Sequence, residues 1–211
     1  MYYVTKRCID LVGSLVLCIA FSPFAVITAV AIVLDSSGPV LADTPERVGK
    51  HGKLFKLYKF RSMIINAHEI LRKNPKFKHL YEKYKKNSYK LYEDPRVTSV
   101  GKFIRKHSID ELPQLLNVLK GEMSLVGPRP YYPDELEAQQ KKYPHTRELV
   151  EIVLSAKPGI TGDWQVSGRS EVNFDKRIKI DAGYVKRKSI WRDFVILLKS
   201  PLAMITGKGA V

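Results

Sequence analysis

Between Leu11 and Leu34 the chain runs LVGSLVLCIAFSPFAVITAVAIVL without one charged residue. No other feature restricts the fold as strongly. As a helix rising about 1.5 Å per residue, the run is long enough to cross a bilayer core of about 30 Å. A secretory signal peptide does not fit, because no small-residue cleavage site follows a short apolar core. A simple span fits poorly too. Ser22 and Pro23 fall in mid-run, where proline removes a backbone hydrogen bond and bends a helix. Lys6 and Arg7 precede the run, and Arg47, Lys50, Lys53, Lys56, Lys59 and Arg61 follow it. The positive-inside rule therefore asks for both flanks in the cytoplasm. A helix that enters the membrane, bends at Ser22-Pro23 and returns to the same face satisfies both constraints. The expected division is a re-entrant membrane helix at 1–36 and a domain at 37–211 on the cytoplasmic membrane face.

Charge narrows the partners. Lysine and arginine number 36 against 21 aspartates and glutamates, a net charge of +15. So basic a chain suits phosphates, whether of nucleic acid, anionic lipid headgroups or nucleotides. With an apolar segment present, lipid and nucleotide are the expected partners and nucleic acid is not. Cys8 and Cys18 both lie in or beside the apolar run, which excludes a disulfide framework or a C-x-x-C zinc site in the remainder.

Past Asp35-Ser36-Ser37-Gly38-Pro39, a turn, the segment from Val40 to Met63 reads as a hairpin or extended strand pair. Ile64 to Tyr92 reads as one or two helices broken at Asn74-Pro75, with lysines among Tyr81, Tyr84, Tyr89 and Tyr92 that suit an anionic lipid surface. A further exposed helix over 131–151 breaks at Tyr143-Pro144. Ser189 to Ile205 carries a broad apolar side and suits an interfacial helix with Trp191 at headgroup level. The fold class expected is α+β, mostly helical, with interfacial amphipathic helices around a small cytosolic domain.

The centre of the chain holds its chemistry. In SIDELPQLLNVLKGEMSLVGPRP, residues 108–130, Leu112, Leu115, Leu116 and Leu119 share one helical face, and Gly121 supplies a C-terminal stop. Ser108 and Glu111 have capping-box spacing, but Pro113 fits better if the helix starts near Asp110 or Glu111. Either register sets two adjacent carboxylates at a helix start. An isolated pair there usually only complements the helix dipole. This stretch of more than twenty residues, however, closely resembles the signature of the bacterial sugar transferases, the monotopic phosphoglycosyl transferases that load a sugar 1-phosphate onto a polyprenyl phosphate. KFRSM (59–63), DPRVT (94–98) and KPGITGDWQVSGR (157–169) resemble further segments of that family. The similarity covers nearly the whole chain, and no additional N-terminal domain of the kind larger members carry is expected in it.

The resemblance implies a two-step route. Asp110 attacks the β-phosphate of a UDP-sugar, UMP leaves, and a phosphosugar-aspartate passes its cargo to undecaprenyl or another polyprenyl phosphate, the first membrane step of surface glycan assembly. Glu111 would help hold Mg²⁺, with Asp110, or assist proton movement. It also implies that Lys59 and Arg61 face the active site, and it makes Arg96, Arg105, Arg129 and Arg169 candidates for substrate phosphate, which arginine can grip bidentately. It implies the re-entrant helix and a bacterial inner-membrane location as well. A membrane-anchored, basic recruiting protein without catalysis explains the charge and the apolar run equally well, and Mg²⁺-dependent UMP release separates the two. Neither the sugar nor the oligomeric state is set by these residues, and a homo-oligomer is compatible with them.

Overall fold

The structure, a computed structural model, describes residues 2–86, 91, 93–167 and 173–205. Its first element is a single helix, α1, Tyr2–Asp35, with Pro23 inside it. The side of α1 that faces the protein is polar: Lys6, Asp10, Ser14 and Thr28 are buried with Ile32, while Val4, Val12, Val16, Ile19, Val26, Ile27 and Leu34 point outward. Only 11% of its most apolar window is buried, against the pattern of a soluble core helix. It is one helix long and apolar enough to cross a membrane.

Both ends of α1 rest on the same body. Near its start, Arg7 donates to the carbonyls of Val118 and Leu119, and Asp10 accepts from Ser124 Oγ and the Leu125 N–H. At its far end, Asp35 accepts from the Val100 N–H, and Ile32 packs with Phe60, Ile104 and Ile109. Residues 19–24, around the proline, are all exposed.

A short hairpin follows, β1 (Arg47–Val48) antiparallel to β2 (Leu54–Phe55). Then come α2 (Ala67–Lys73), a 3₁₀ turn at Pro75–Phe77 and α3 (Lys78–Lys86). The Asn74 side chain accepts the Lys76 N–H at the break that Asn74-Pro75 predicts. α4 (Ser99–Lys106), a helix that the periodicity of the sequence did not announce, is capped by Thr98 Oγ1 on the Gly101 N–H. α5 (Gln114–Lys120) ends at Gly121, whose φ of 84° is the left-handed stop expected of it.

β3 (Ser124–Val126) pairs in parallel with β4 (Gly159–Thr161), Ser124 opposite Gly159 and Val126 opposite Thr161. Between them run α6 (Pro133–Lys142) and α7 (Arg147–Leu154), separated at Tyr143-Pro144 as the sequence predicts. α8 (Asp163–Val166), α9 (Phe174–Lys186) and α10 (Ile190–Ile205) complete the described chain. α10 repeats the inversion of α1. Asp193, Ile196 and Ser200 face inward, while Trp191, Phe194, Leu198 and Leu202 face out.

The central core joins β2, α5, β3, α9 and α10 through Phe55, Leu115, Val118, Met123, Leu125, Tyr184 and Ile196, with Leu17 of α1 packed against it. A second cluster under α7 and α9 gathers Tyr131, Val153, Phe174 and Ile178. Truncating such a residue to alanine costs roughly 2–5 kcal/mol.

Candidate active site

The central stretch does not fold as one helix. Ser108 takes a left-handed φ of 55° and makes no side-chain cap, so the capping box does not form. Ile109–Glu111 is a 3₁₀ turn, and Pro113 stands as the N-cap of α5. Proline tolerates that place because its missing N–H has no helical partner to lose. The inward face of α5 is Gln114, Leu115, Asn117 and Val118, not the leucine row read from the sequence; Leu116 is 46% exposed. Asn117, fully buried, explains the shift. Its side chain accepts the Tyr58 N–H and donates to the Lys56 carbonyl, fastening the strand that carries Lys59.

That strand is held from both sides. The Phe60 N–H donates to the Asp110 carbonyl, and the Arg61 N–H to that of Val40. Lys59 Nζ then lies 2.9 Å from Asp110 Oδ2 and 3.0 Å from Glu111 Oε1. One ammonium between two carboxylates leaves the trio with a net negative charge, and each proton is held more tightly. Burial raises the pKa of Asp110, and Glu111 adds to this against the pull of Lys59. Burial works against the Lys59 charge, but the two carboxylates outweigh it and raise its pKa.

The trio floors a cleft of about 270 Å³. The opposite wall is arginine and aromatic. Arg129 lies over the Trp164 ring at 5.0 Å, and its guanidinium makes no hydrogen bond or ion pair among the described residues. Burial and the neighbouring Arg177 lower its pKa. Arg47 stacks 3.2 Å from the Tyr132 ring centroid and leaves Nε unpaired. The indole N–H of Trp164 and Oε1 of Gln165 are also unpaired among the described residues. His68 is pushed down to about 4, by burial and then Arg47, Arg96 and Arg72, so it is neutral at physiological pH.

The loop bearing Arg129 is set by close backbone contact. A Cβ on Gly159 would lie 2.0 Å from the Gly127 N, and one on Gly162 would lie 2.2 Å from its carbonyl oxygen. Asp181 of α9 accepts the Arg129 N–H and the Tyr131 hydroxyl. Its pKa is raised to about 7, chiefly by burial.

The other arginines named from the sequence divide. Arg61 is buried, with its donors on Ser36 Oγ and the carbonyls of Ile32, Ser36, Gly38 and Pro39, closing the end of α1. Arg96 is held by both oxygens of Asp94 and by the Ala67 carbonyl. Both line the cleft with their donors already engaged, Arg96 on a carboxylate and Arg61 on neutral oxygens. Arg105 is half-buried on the carboxylate side. Arg169 lies outside the described residues. Ser22 and Pro23 sit in the exposed middle of α1, away from the cleft. Arg47, Tyr132, Trp164 and Gln165 were not singled out by sequence reasoning. Arg47 read as one more flanking charge, Tyr132 carried no motif signal, and Trp164 and Gln165 stood unremarked inside the family-like segment 157–169.

Among the described residues no group of three or more His, Cys, Asp or Glu forms a metal cage. Asp110 and Glu111 nevertheless offer hard carboxylate oxygens from one turn. That donor set fits Mg²⁺, which takes one or two carboxylates and completes its shell with water and phosphate.

Known proteins resemble this chain along nearly its whole length. The family model for bacterial sugar transferases matches residues 1–207. The undecaprenyl-phosphate galactose phosphotransferase of Salmonella typhimurium is 46% identical over 97% of this chain and 41% of its own length. The UDP-N-acetylgalactosamine-undecaprenyl-phosphate N-acetylgalactosaminephosphotransferase of Aeromonas hydrophila is 39% identical over 100% of this chain and 46% of its own. The exopolysaccharide production protein ExoY of Sinorhizobium fredii is 38% identical over 98% of this chain and 88% of its own. The chain thus spans less than half the length of several curated relatives. By its sequence from end to end, this chain belongs to the bacterial sugar transferase family.

Proposed function

We propose that this protein transfers a sugar 1-phosphate from a UDP-sugar to undecaprenyl or another polyprenyl phosphate, releasing UMP. The observation that carries the reading is the pairing within one cleft of Asp110 and Glu111, bridged by Lys59, with Arg129 facing it without an anion. A diphosphate fits between a nucleophile and an unmatched guanidinium. Phosphoryl transfer asks little more of a protein than positioning and charge.

In the proposed sequence the Asp110 carboxylate, whose Oδ2 is held by Lys59, attacks the β-phosphorus. The bond from that phosphorus to the bridging oxygen breaks, and UMP leaves with the electron pair. Polyprenyl phosphate then attacks the same phosphorus, the aspartyl bond breaks, and the carboxylate is restored. Lys59 orients Asp110 and balances the carboxylates, and Arg129 holds phosphate. Mg²⁺, held by Asp110 and Glu111, would supply positive charge to the diphosphate when bound. Asp110 must be ionised to attack, and burial makes it a stronger base than an ordinary carboxylate.

In the same reading residues 1–36 dip into the cytoplasmic face of a bacterial inner membrane, bend at Ser22-Pro23 and return, and 37–211 form the catalytic domain. Attachment of both ends of α1 to one body supports this, as do its exposed middle and outward apolar side. Labelling cysteines introduced at Tyr2 and Ser37 in intact cells tests it; equal protection is expected, and opposite accessibility contradicts it.

The activity test is a panel of UDP-sugars with polyprenyl phosphate and Mg²⁺, read as UMP. One sugar should give UMP and a polyprenyl diphospho-sugar. No UMP from any sugar would return the protein to the class of membrane recruiting proteins. Sugar phosphate released to water without acceptor would make it a hydrolase.

A further inference from the structure

A second cavity, of about 90 Å³, opens where the start of α1 meets β3 and the ends of α7 and α9, and it shares no lining residue with the catalytic cleft. Its floor is a matched polar network. Lys6 pairs with Asp10 at 3.1 Å and with Asp193 at 3.0 Å, and the Tyr184 hydroxyl donates to Asp193. The rim is not matched. Lys50 and Lys188 flank Tyr3, Lys157 lines the same rim, and none of the three has a carboxylate within ion-pair distance among the described residues. The Lys50 and Lys188 ammonium groups lie 5.7 and 5.0 Å from the Tyr3 ring centroid. Burial, then Arg7 and Lys50, hold the Lys157 ammonium below its usual pKa. Converging like charges without an anion raise the free energy of the site, and a bound anion lowers it.

The surroundings say which anion. The mouth lies beside two helices that turn apolar residues outward, α1 with Tyr3, Val4 and Leu11, and α10 with Trp191 and Phe194. The Tyr2 hydroxyl donates to Asp193 and ties the two starts together. An anion without chains gains only from the lysines, whereas one carrying acyl chains gains from both surfaces.

We propose that this cavity binds the phosphate headgroup of an anionic membrane phospholipid, with Lys50, Lys157 and Lys188 around the phosphate and the acyl chains along α1 and α10. The inference rests on the membrane placement of α1, and not on the transferase chemistry. Such a lipid fixes the depth and tilt at which the start of α1 enters the bilayer.

The full chain in neutral detergent micelles tests this by thermal unfolding during titration with dihexanoyl phosphatidylglycerol, dihexanoyl phosphatidylcholine or inorganic phosphate. Saturable stabilisation of about 4 °C or more is expected with phosphatidylglycerol alone. The K50Q/K157Q/K188Q variant should lose it, K157Q alone should weaken it, and K83Q/K85Q/K86Q should keep it. An equal shift with phosphatidylcholine would overturn the proposal, as would an undiminished shift in K50Q/K157Q/K188Q. Phosphate reproducing the shift would assign the site to a free anion instead. UMP release is not read, so failure here leaves the catalytic reading untouched.

Discussion

Arg61 and Arg129 line one cleft, yet the two walls that bear them are built on opposite terms. The wall against α1 is finished. Arg61 spends its donors on the last carbonyls of α1 and the turn after it, so its charge holds structure. The far wall is unfinished, for Arg129, Arg47, Trp164 and Gln165 all keep polar atoms unpaired among the described residues. A buried donor without a partner costs about 1–3 kcal/mol, and more if charged. The difference teaches where substrate belongs, because a ligand can add bonds only where the protein has not made them.

The largest effect that bears on this contrast comes from the floor. Lys59→Ala leaves Asp110 and Glu111 as a buried like-charged pair. Turnover should fall about 10³-fold or more, by analogy with the loss of a transition-state electrostatic partner. The acid limb of the activity profile should also move to higher pH, because Lys59 is what opposes the rise of the Asp110 pKa. A profile that stays in place would show that Lys59 does not set the charge state of Asp110.

Arg129→Ala and Arg61→Ala then break the comparison directly. Arg129→Ala should cut kcat/KM about 10²–10³-fold while leaving the melting temperature near wild type. Arg61→Ala should lower the melting temperature by about 6–10 °C, roughly 3 kcal/mol for a buried, multiply bonded charge, with most activity kept per folded molecule. Comparable activity losses with unchanged stability in both would erase the distinction between the walls.

Asp181 sharpens it further. Its pKa is raised to about 7, so the stabilising share of its protonated form is complete below the ordinary carboxylate range and is lost as pH rises through about 7. Asp181→Asn should therefore gain most over wild type at pH 8, about half as much at pH 5.5 and least near pH 4, read by thermal unfolding. A gain independent of pH would contradict the assignment. At the small end, Lys83, Lys85 or Lys86 changed singly to alanine should alter activity less than twofold, because surface attraction is distributed and screened by salt.

Much of this was legible in the sequence. The apolar run, the Asn74-Pro75 and Tyr143-Pro144 breaks and the Gly121 stop are local signals, and the structure has each where the sequence puts it; Asp110 and Glu111 instead fall in a 3₁₀ turn ahead of α5. The inward face of α5 was misread because hydrophobic periodicity cannot register a buried asparagine whose partners, Lys56 and Tyr58, lie some sixty residues away. The split between Arg61 and Arg129 was equally invisible, since sequence shows charge but not which carbonyls lie in reach. Asp163 finds its reason only in space, where it pairs with Arg192 of α10.

The central claim is that Asp110 carries the phosphosugar. The direct measurement incubates the protein with its UDP-sugar and Mg²⁺ but without polyprenyl phosphate, then follows UMP and the mass of the peptide that contains Asp110. The account predicts a burst of UMP no larger than one per active site, a stall, and the mass of a sugar phosphate on that peptide, all absent from Asp110→Asn. UMP and adduct both absent until acceptor is added, from a protein that turns over normally once it is present, would contradict it; polyprenyl phosphate would then attack directly.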